Sequence, residues 1–336
     1  MGRAIQVLIA AALAFCATPL LAAGNCKLMK IAEWTVQPHG GSLIVEGEIN
    51  GQKVGVLLDT GAASSVMLRG AASRLGLTRY EAPGYRVFGL GGETHAEYVT
   101  LEEFKLGQAA RRNWRVLAVG ERDQWRGFDF LLGYDFFEQV DVEFDLPNSA
   151  VRLFQAKDCG DVALAYWARG TLDEVKLEFN GEKPAILVPV KLNGKPLVAE
   201  LDTGASRSLV SKLAAAQLGV TPDTPGTRAA GTIGGLGGRE PEKWIGKFGS
   251  FAIGGELIRN PDISFTDLEV NTTAETGSRL ATRREIADML LGLDFLRAHR
   301  VYVAHSQRKL YFTYSGGPVF SVAPKQPAKP AAKPDI

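Results

Sequence analysis

The stretch "LLDTGA" at Leu57–Ala62 decides the fold of this chain, because the sequence spells it a second time as "ELDTGA" at Glu200–Ala205. The two copies lie 143 positions apart, and at that offset the match extends without a gap over Ile49–Leu77 and Leu192–Val220. Two long copies do not form a stacked array of short repeats. The chain is therefore predicted to contain two copies of one fold.

Further short motifs repeat downstream in the same order. "GLGG" at Gly89–Gly92 returns at Gly235–Gly238, and "LLGYDFF" at Leu131–Phe137 returns as "LLGLDFL" at Leu290–Leu296. The offset grows from 143 to 146 and then to 159 residues. An unchanged order with a growing offset indicates an insertion in the second copy, which we place near Val270–Ala281.

The local pattern in each copy is that of a β protein with short helices. Asn50–Gly51 and Asn193–Gly194 each separate two apolar segments, and Asn-Gly favours a type I′ hairpin turn because both central residues need positive φ. Arg69–Leu75 and Lys212–Leu218 are predicted to be short helices, each ending before a glycine that can cap it. The predicted fold class is all-β with short helices.

Composition places the chain among ordinary globular proteins. Its 336 residues are 46% hydrophobic and 22% charged, which is enough for two domains of common size. The formal net charge of +1 gives no reason to expect a nucleic acid or a strongly acidic protein as partner.

The repeat and the shifts in composition together predict five segments. They are a signal peptide at residues 1–23, an N-terminal lobe at 24–155, an inter-lobe connection at 156–173, a C-terminal lobe at 174–316 and a disordered tail at 317–336. The tail is rich in Pro, Lys and Ala, a composition typical of chain without a packed core.

The N-terminal segment has the features of a signal peptide. Arg3 supplies a positive start, Ile5–Phe15 an apolar run, and Ala22 and Ala23 a small-residue cleavage zone. We therefore expect an exported protein, periplasmic or secreted, without a membrane span after removal of the signal. The alternative is an uncleaved anchor, because Ile5–Ala23 nearly spans a bilayer.

Export changes how the cysteines are interpreted. Cys16 would leave with the signal, so Cys26 and Cys159 would remain as an even pair in an oxidising compartment. We expect a disulfide between them, closing a loop around the first half of the chain. Two buried free thiols are the alternative.

The repeated Asp-Thr-Gly is the candidate site. A single copy can be explained as a purely structural feature, a strand-to-loop turn with an Asx-type hydrogen bond. In a pseudo-twofold molecule, however, equivalent positions near the axis meet, and Asp59 and Asp202 would then form a carboxyl pair. Such a pair shares one proton because two close carboxylates do not both ionise readily. It is suited to activating a water, with Thr60 and Thr203 cross-linking the two turns.

These motifs resemble those of the aspartic protease family. Asp59–Ala62 and Asp202–Ala205 resemble its catalytic signature, and Leu131–Gly133 and Leu290–Gly292 resemble its hydrophobic-hydrophobic-glycine element. The resemblance implies that Asp59 and Asp202 are catalytic, supported by their neighbours Thr60, Gly61, Thr203 and Gly204. It also implies two closed β-barrel lobes of acid-protease type with an active-site cleft between them.

The branch of that family is indicated by residues near these motifs. Asp135 and Asp294 follow the Leu-Leu-Gly elements as in the retroviral type and its bacterial retropepsin-like relatives. Ala62 and Ala205 stand where pepsin-type motifs carry a hydroxyl that would stabilise the ionised carboxylate. Without that hydroxyl we expect higher pKa values for the pair, and a pH optimum less acidic than that of pepsin.

The glycine-rich hairpins lie where the family places its flaps. A flap bends over bound peptide, and glycines at its tip allow close backbone approach. The repeated motif predicts two flaps, with tips formed by Gly89, Gly91 and Gly92 and by Gly235, Gly237 and Gly238. An ordinary hairpin tip remains the alternative, whereas a phosphate-binding loop is disfavoured because neither GxxxxGK nor GxGxxG is present.

No metal or cofactor is expected. The histidines show neither an HExxH motif nor spacing with paired cysteines that would indicate a metal site. They are His39, His95, His299 and His305.

The sequence thus predicts an exported, single-chain, monomeric aspartic endopeptidase that acts on extended peptides or unfolded proteins. A second hypothesis is a peptide- or protein-binding module that kept the fold without useful turnover. Cleavage that disappears on Asp59→Asn separates the two.

Overall fold

The structure of the protein is a computed structural model, which describes residues 25–39, 41–85, 87–120, 127–178, 184–272, 282–285 and 287–320. The predicted signal segment, and the predicted tail from residue 321 onwards, lie outside the described residues. Within the described ranges, no helix has the length and apolar character needed to cross a membrane.

Most of the described chain is β-strand. The strands of the first half are β1 (Lys27–Thr35), β2 (Gln37–His39), β3 (Ser42–Ile49), β4 (Gln52–Leu58), β5 (Val66–Leu68), β6 (Tyr80–Glu81), β7 (Val87–Gly89), β8 (Gly92–Thr94), β9 (Glu97–Leu106), β10 (Ala109–Val119), β11 (Phe130–Leu132), β12 (Asp141–Asp145) and β13 (Ala150–Lys157).

The second half repeats this arrangement. Its strands are β14 (Asp173–Lys176), β15 (Leu187–Leu192), β16 (Lys195–Leu201), β17 (Leu209–Ser211), β18 (Arg228–Thr232), β19 (Glu242–Lys247), β20 (Ser250–Ile253), β21 (Glu256–Arg259), β22 (Asp262–Thr266), β23 (Glu269–Thr272), β24 (Thr282–Glu285), β25 (Met289–Leu291), β26 (His299–Ala304) and β27 (Lys309–Tyr314). The helices are α1 (Arg69–Arg74), α2 (Tyr134–Phe137), α3 (Lys212–Gln217) and α4 (Leu293–Ala298), with a 3₁₀ turn at Leu146–Asn148.

The predicted local signals are confirmed. Asn50 and Gly51 have φ of 50° and 77°, and Asn193 and Gly194 have φ of 51° and 76°, so both Asn-Gly pairs form left-handed hairpin turns. Helices α1 and α3 each end one residue before the predicted limit, in front of a glycine with positive φ. Short-range chemistry therefore sets the strand–turn–strand frame of both halves.

The first lobe is a closed barrel. Its strands follow the order β3-β4-β11-β5-β10-β9, and β9 returns to pair with β3, where Ile49 lies opposite Phe104. Strand β11 pairs in parallel with β4 and antiparallel with β5, so it inserts between the strands on either side of the first Asp-Thr-Gly turn. This insertion places the Leu-Leu-Gly element beside that turn.

The second lobe closes in the same way, with interrupted strands. Its order is β15-β16-β25-β17-β22, with β19 against β22 and β20 returning to β15. Two backbone hydrogen bonds carry the pairing across the breaks, from Phe248 N–H to Pro261 O at 3.0 Å and from Asn260 N–H to Gly249 O at 2.9 Å. The prediction of two closed barrels is confirmed.

A six-stranded sheet joins the lobes, and we call it the joining sheet. Its order is β1-β13-β12-β26-β27-β14, so equivalent hairpins of the two halves meet at its centre. There β12 pairs antiparallel with β26, with Val142 opposite Val303 and Phe144 opposite Val301. Antiparallel pairing of equivalent strands is the arrangement that a pseudo-twofold axis produces.

Buried charges reinforce the joining sheet. The carboxylate of Glu143, whose side chain is 0% exposed, accepts hydrogen bonds from Arg152 at 2.6 Å and from Arg300 at 2.8 Å. Arg152 also donates to Asp145 at 2.9 Å. Because Arg300 belongs to the second half and Glu143 to the first, this ion pair ties the lobes together.

Two further features lie at the edges of this frame. The Cys26 and Cys159 sulfurs are joined at 2.17 Å, which links the start of β1 to the chain beyond β13. The inserted residues of the second half include the hairpin of β23 and β24, and β23 lies against β7 and β8 of the first half. Residues 273–281 of the predicted insertion lie outside the described residues.

Candidate active site

The two Asp-Thr-Gly turns follow equivalent strands at the centre of the molecule. Asp59 follows β4 and Asp202 follows β16. The backbone N–H of Asp59 donates to Leu132 O, and that of Asp202 donates to Leu291 O, both at 3.0 Å. Each Leu-Leu-Gly element therefore supports the aspartate of its own lobe, as the family resemblance implies.

The structure brings the two carboxyl groups together. Each carboxyl group lies against the glycine of the opposite turn. A Cβ atom placed on Gly61 would lie 2.4 Å from Asp202 Cγ, and one on Gly204 would lie 2.5 Å from Asp59 Cγ. No side chain fits at such distances, so glycine is required at both positions. The two turns are interlocked, and neither is an isolated surface turn.

The threonines cross-link the same turns through buried hydrogen bonds. Thr60 Oγ1 accepts from Thr203 N–H at 3.0 Å and donates to Leu201 O at 2.6 Å. Thr203 Oγ1 accepts from Thr60 N–H at 2.9 Å and donates to Leu58 O at 2.7 Å. Both hydroxyl groups reach the opposite lobe, so they fix the separation of the strands that carry the aspartates.

Backbone donors face one oxygen of each carboxyl group. Asp59 Oδ1 accepts from the N–H groups of Gly61 and Ala62, both at 3.1 Å. Asp202 Oδ1 accepts from Gly204 at 2.8 Å and from Ala205 at 3.1 Å. These donors orient the carboxyl groups and favour their charged forms.

Burial has a larger effect on the pKa values of the two carboxyl groups than the backbone donors have. Burial, with repulsion from Asp202 added, raises the pKa of Asp59 well above its ordinary value. Burial also raises the pKa of Asp202, although the N–H groups of Ala205 and Gly204 oppose the rise. The pair therefore retains a proton at pH values where ordinary aspartates have lost theirs.

A serine and an aspartate brace the site in each lobe, an arrangement that the sequence reasoning missed. In the first lobe, Asp135 Oδ1 accepts from Ser65 N–H at 2.8 Å and from its hydroxyl at 2.7 Å. Ser65 Oγ in turn accepts from Gly133 N–H at 3.0 Å. These hydrogen bonds thus connect the segment after the first Asp-Thr-Gly turn to the Leu-Leu-Gly element.

The second lobe repeats the brace. Asp294 Oδ1 accepts from Ser208 N–H at 2.9 Å and from its hydroxyl at 2.6 Å, and Ser208 Oγ accepts from Gly292 N–H at 2.9 Å. Burial raises the pKa of Asp294. The sequence contains a sign of this brace in the internal repeat. Ser65 and Ser208 each lie six residues after the aspartate of an Asp-Thr-Gly motif, so they are equivalent at the 143-residue offset.

The glycine-rich segments meet above the aspartates. We call the β7–β8 hairpin with Gly89–Gly92 the first flap, and the segment between β18 and β19 with Gly235–Gly238 the second flap. Arg239 N–H of the second flap donates to Gly91 O of the first at 3.0 Å. The tips touch so closely that a Cβ on Gly237 would lie 2.6 Å from Gly91 C.

Close approach accounts for most of the predicted flap glycines. A Cβ on Gly89 would lie 2.8 Å from Leu236 Cβ, and one on Gly235 would lie 2.7 Å from Leu90 Cβ. Gly92 has a φ of +95°. Gly238 differs, because a Cβ there would meet nothing within 4 Å.

The first flap also reaches the opposite lobe. Leu90 at its tip packs against a buried cluster of the second lobe formed by Leu209, Leu268 and Leu290. This contact and the tip-to-tip hydrogen bond hold the two flaps together over the site.

A cleft of about 690 Å³ lies between the flaps and the aspartates. Its lining includes Asp59 and Asp202 at the floor and Leu90 and Leu236 from the flaps. A cavity of that size with a few polar groups among apolar side chains is typical of a ligand site.

One group of side chains has atoms spaced for a metal ion. Ligand atoms of Glu81, His95 and Glu97 lie within 4.8 Å of one another. Glu97 already pairs with Arg69 at 3.1 Å and Arg79 at 3.2 Å, and none of the three lines the cleft. The group therefore has no connection with the carboxyl pair.

Comparison with known proteins gives a result for each lobe and for the fold. The sequence matches the family described as aspartyl protease over residues 45–136 and 188–295. No curated protein sequence matches the chain. The fold is similar to that of an aspartic proteinase from Irpex lacteus, with a TM-score of 0.51 and 10% identity, covering 84% of this chain and 97% of that one. At that identity the likeness concerns the fold alone.

Proposed function

The chain belongs to the aspartyl protease family, and from this premise we propose that it is an endopeptidase in which Asp59 and Asp202 jointly activate a water. Family and fold support protease activity in general. The observation that carries the finer assignment is the interlocking of the two turns, because it places both carboxyl groups at one point on the cleft floor.

The proposed chemistry uses the two aspartates in opposite roles. Burial raises the pKa of both carboxyl groups, so the pair holds one shared proton, and the ionised partner is the base. With the proton on Asp59, the base is Asp202. Asp202 removes a proton from the water as its oxygen attacks the carbonyl carbon, while Asp59 donates its proton to the carbonyl oxygen. The product is a neutral tetrahedral gem-diol, formed without a covalent enzyme intermediate.

Collapse of the gem-diol completes the reaction. Asp202, now protonated, transfers its proton to the leaving nitrogen as the C–N bond breaks. Asp59 takes back a proton from one of the two hydroxyl groups, which restores the carbonyl and leaves a carboxylic acid. Each carboxyl group thus returns to its starting state, and no cofactor is needed.

An extended peptide is the proposed substrate. The two flaps close the cleft from above, so a peptide can enter when the Arg239–Gly91 hydrogen bond opens. Both aspartates come from one chain, which supports a monomer as the active form.

Export is part of the proposal. The Cys26–Cys159 link supports an oxidising compartment, where such a bond persists. We expect the unfolded, unreduced protein to show no free thiol once the signal segment is removed. Two titratable thiols per chain would contradict the disulfide.

The test is cleavage of a denatured protein substrate by the full chain. Wild type should cleave it, whereas Asp59→Asn and Asp202→Asn should not, because neither can complete the proton exchange. Asp161→Asn is the matched control, because the Asp161 side chain is fully exposed. This variant should cleave the substrate at the wild-type rate. Equal cleavage by all variants would remove the pair from the mechanism. Peptide binding without cleavage by wild type would favour a binding module.

A further inference from the structure

The two lobes contribute the same residue types to the floor of the cleft, but different residue types to its walls. Asp59 and Asp202 are equivalent, as are Leu131 and Leu290 beside them. At the 143-residue offset, however, Glu200 replaces Leu57 and Arg207 replaces Ser64, and all four of these residues line the cleft. The internal repeat therefore reveals where the two halves of the site have diverged.

Sheet register identifies two more differences. Ser264 pairs with Leu209 in the second lobe as Leu117 pairs with Val66 in the first, so a serine takes the place of a cleft-lining leucine.

The second of these differences introduces a lysine. Trp244 pairs with Phe265, and Glu97 pairs with Ala118, at equivalent places in the two barrels. Lys243 therefore occupies the place of Ala96, which is 1% exposed in the first lobe. Each of these four differences makes the second-lobe wall more polar than the first.

The first-lobe wall remains apolar. Its lining includes Leu57, Val87, Phe88, Leu117 and Phe128. Apolar walls of this kind favour a hydrophobic side chain, because binding removes apolar surface of both partners from water.

Lys243 is the cation that lacks a counter-charge in the second-lobe wall. Within the described part of the chain its ammonium group makes no hydrogen bond or ion pair, whereas Glu200 and Arg207 are engaged in contacts of their own. Burial and the nearby charge of Arg207 lower the pKa of Lys243. An anion bound there would pair with the ammonium group and offset the repulsion from Arg207.

We propose that the cleft selects its substrate on two sides, with an apolar side chain against the first lobe and an acidic side chain paired with Lys243 against the second. The consequence for cleavage rests on the proposed function, but the binding preference does not. A lysine or arginine at the acidic position would meet two like charges, and a neutral side chain would leave the ammonium group unpaired.

The experiment measures binding to the full-length Asp59→Asn variant, so that it does not depend on hydrolysis. The probes are eight-residue peptides with one central Phe, in which Glu, Gln or Lys is scanned through the three positions on each side. At one position we expect Glu to bind roughly tenfold more tightly than Gln, with Lys weaker than both. Adding Lys243→Gln should abolish that difference, and Lys243→Arg should restore it.

Lys247→Gln is the matched control, because this exposed lysine lies four residues along the same strand and does not line the cleft. It should keep the preference for Glu. Equal binding of Glu and Gln peptides at every position, or a preference for Lys, would overturn the inference.

The outcomes separate the two proposals. Wild-type cleavage of denatured protein without any acidic preference in binding would overturn the specificity and leave the hydrolytic function standing. A Lys243-dependent preference in binding, without cleavage by wild type, would support the specificity and contradict the hydrolytic function.

Discussion

The hydroxyl groups of Thr60 and Thr203 each accept a hydrogen bond from the backbone N–H of the other residue, at distances of 3.0 and 2.9 Å. Both groups are fully buried and both come from turns that carry an aspartate. The reciprocal contact means that neither lobe can shift at the site without breaking a buried hydrogen bond in the other. The contacts between the two lobes therefore determine the geometry of the carboxyl pair.

Removing one of these hydroxyl groups should lower the free energy of unfolding of the protein. Thr60→Val keeps the volume but leaves Leu201 O and Thr203 N–H without their partner, so we expect a loss of about 2–4 kcal/mol in the free energy of unfolding. Denaturant unfolding measures this loss. Thr60→Ser retains the hydroxyl and should lose less than half as much. An unchanged midpoint for Thr60→Val would show that the cross-link does not stabilise the interface.

The carboxyl pair should make stability depend on pH. A carboxyl group whose pKa is raised on folding stabilises the native state below its unfolded pKa of about 4, and this contribution is lost as pH rises through the folded pKa. Asp59 is such a group. Asp59→Asn cannot ionise, so its melting temperature should exceed that of wild type by about 2–4 °C at pH 7 and approach it at pH 4.

The control for that comparison is Asp161→Asn, which makes the same change at a fully exposed side chain. It should leave the melting temperature within about 1 °C of wild type at both pH values. A lower melting temperature for Asp59→Asn at pH 7 would contradict the raised pKa.

His305 should give stability the opposite pH dependence, with a contribution that is lost as pH falls. It packs against Tyr134 of the first lobe with ring centroids 5.8 Å apart, and its Nε2 is buried without a hydrogen-bond partner among the described residues. Burial lowers its pKa to about 4. The neutral ring therefore stabilises the fold fully above about pH 6.5, and that contribution is lost as pH falls towards 4.

His305→Gln removes this titration. Between pH 7 and pH 4, wild type should lose about 1–3 kcal/mol more stability than the variant. Denaturant unfolding at the two pH values measures the difference, with His95→Gln as the control because the His95 side chain is 53% exposed. Parallel losses in wild type and His305→Gln would show that the ring accepts a proton without cost to the lobe interface.

Much of the frame was predictable because it depends on local chemistry and on the repeat. Asn50 and Gly51 specify a turn through their tolerance of positive φ, and the same pair recurs at the same place in the second copy. The repeat also predicted that Asp59 and Asp202 would meet, since equivalent positions near a twofold axis are neighbours.

Other features depend on contacts that no local pattern encodes. The pairing of β12 with β26 joins residues about 160 positions apart in the sequence. The sequence of either strand alone indicates only an ordinary hairpin strand and does not identify its partner in the other half. The meeting of Gly91 with Arg239 likewise depends on how two whole lobes dock. Ser65 and Ser208 were visible in the repeat, but a serine after a turn has many uses, and its partner Asp135 or Asp294 is distant in sequence.

The central claim is that Asp59 and Asp202 act as one unit, and a double-mutant comparison tests it most directly. The measurement is kcat/KM for one cleaved peptide with wild type, Asp59→Asn, Asp202→Asn and the double variant. We predict a loss of at least about 1,000-fold in each single variant, and no greater loss in the double variant, because residues that act together are strongly non-additive. Substantial activity in either single variant, or losses that multiply in the double variant, would contradict the account.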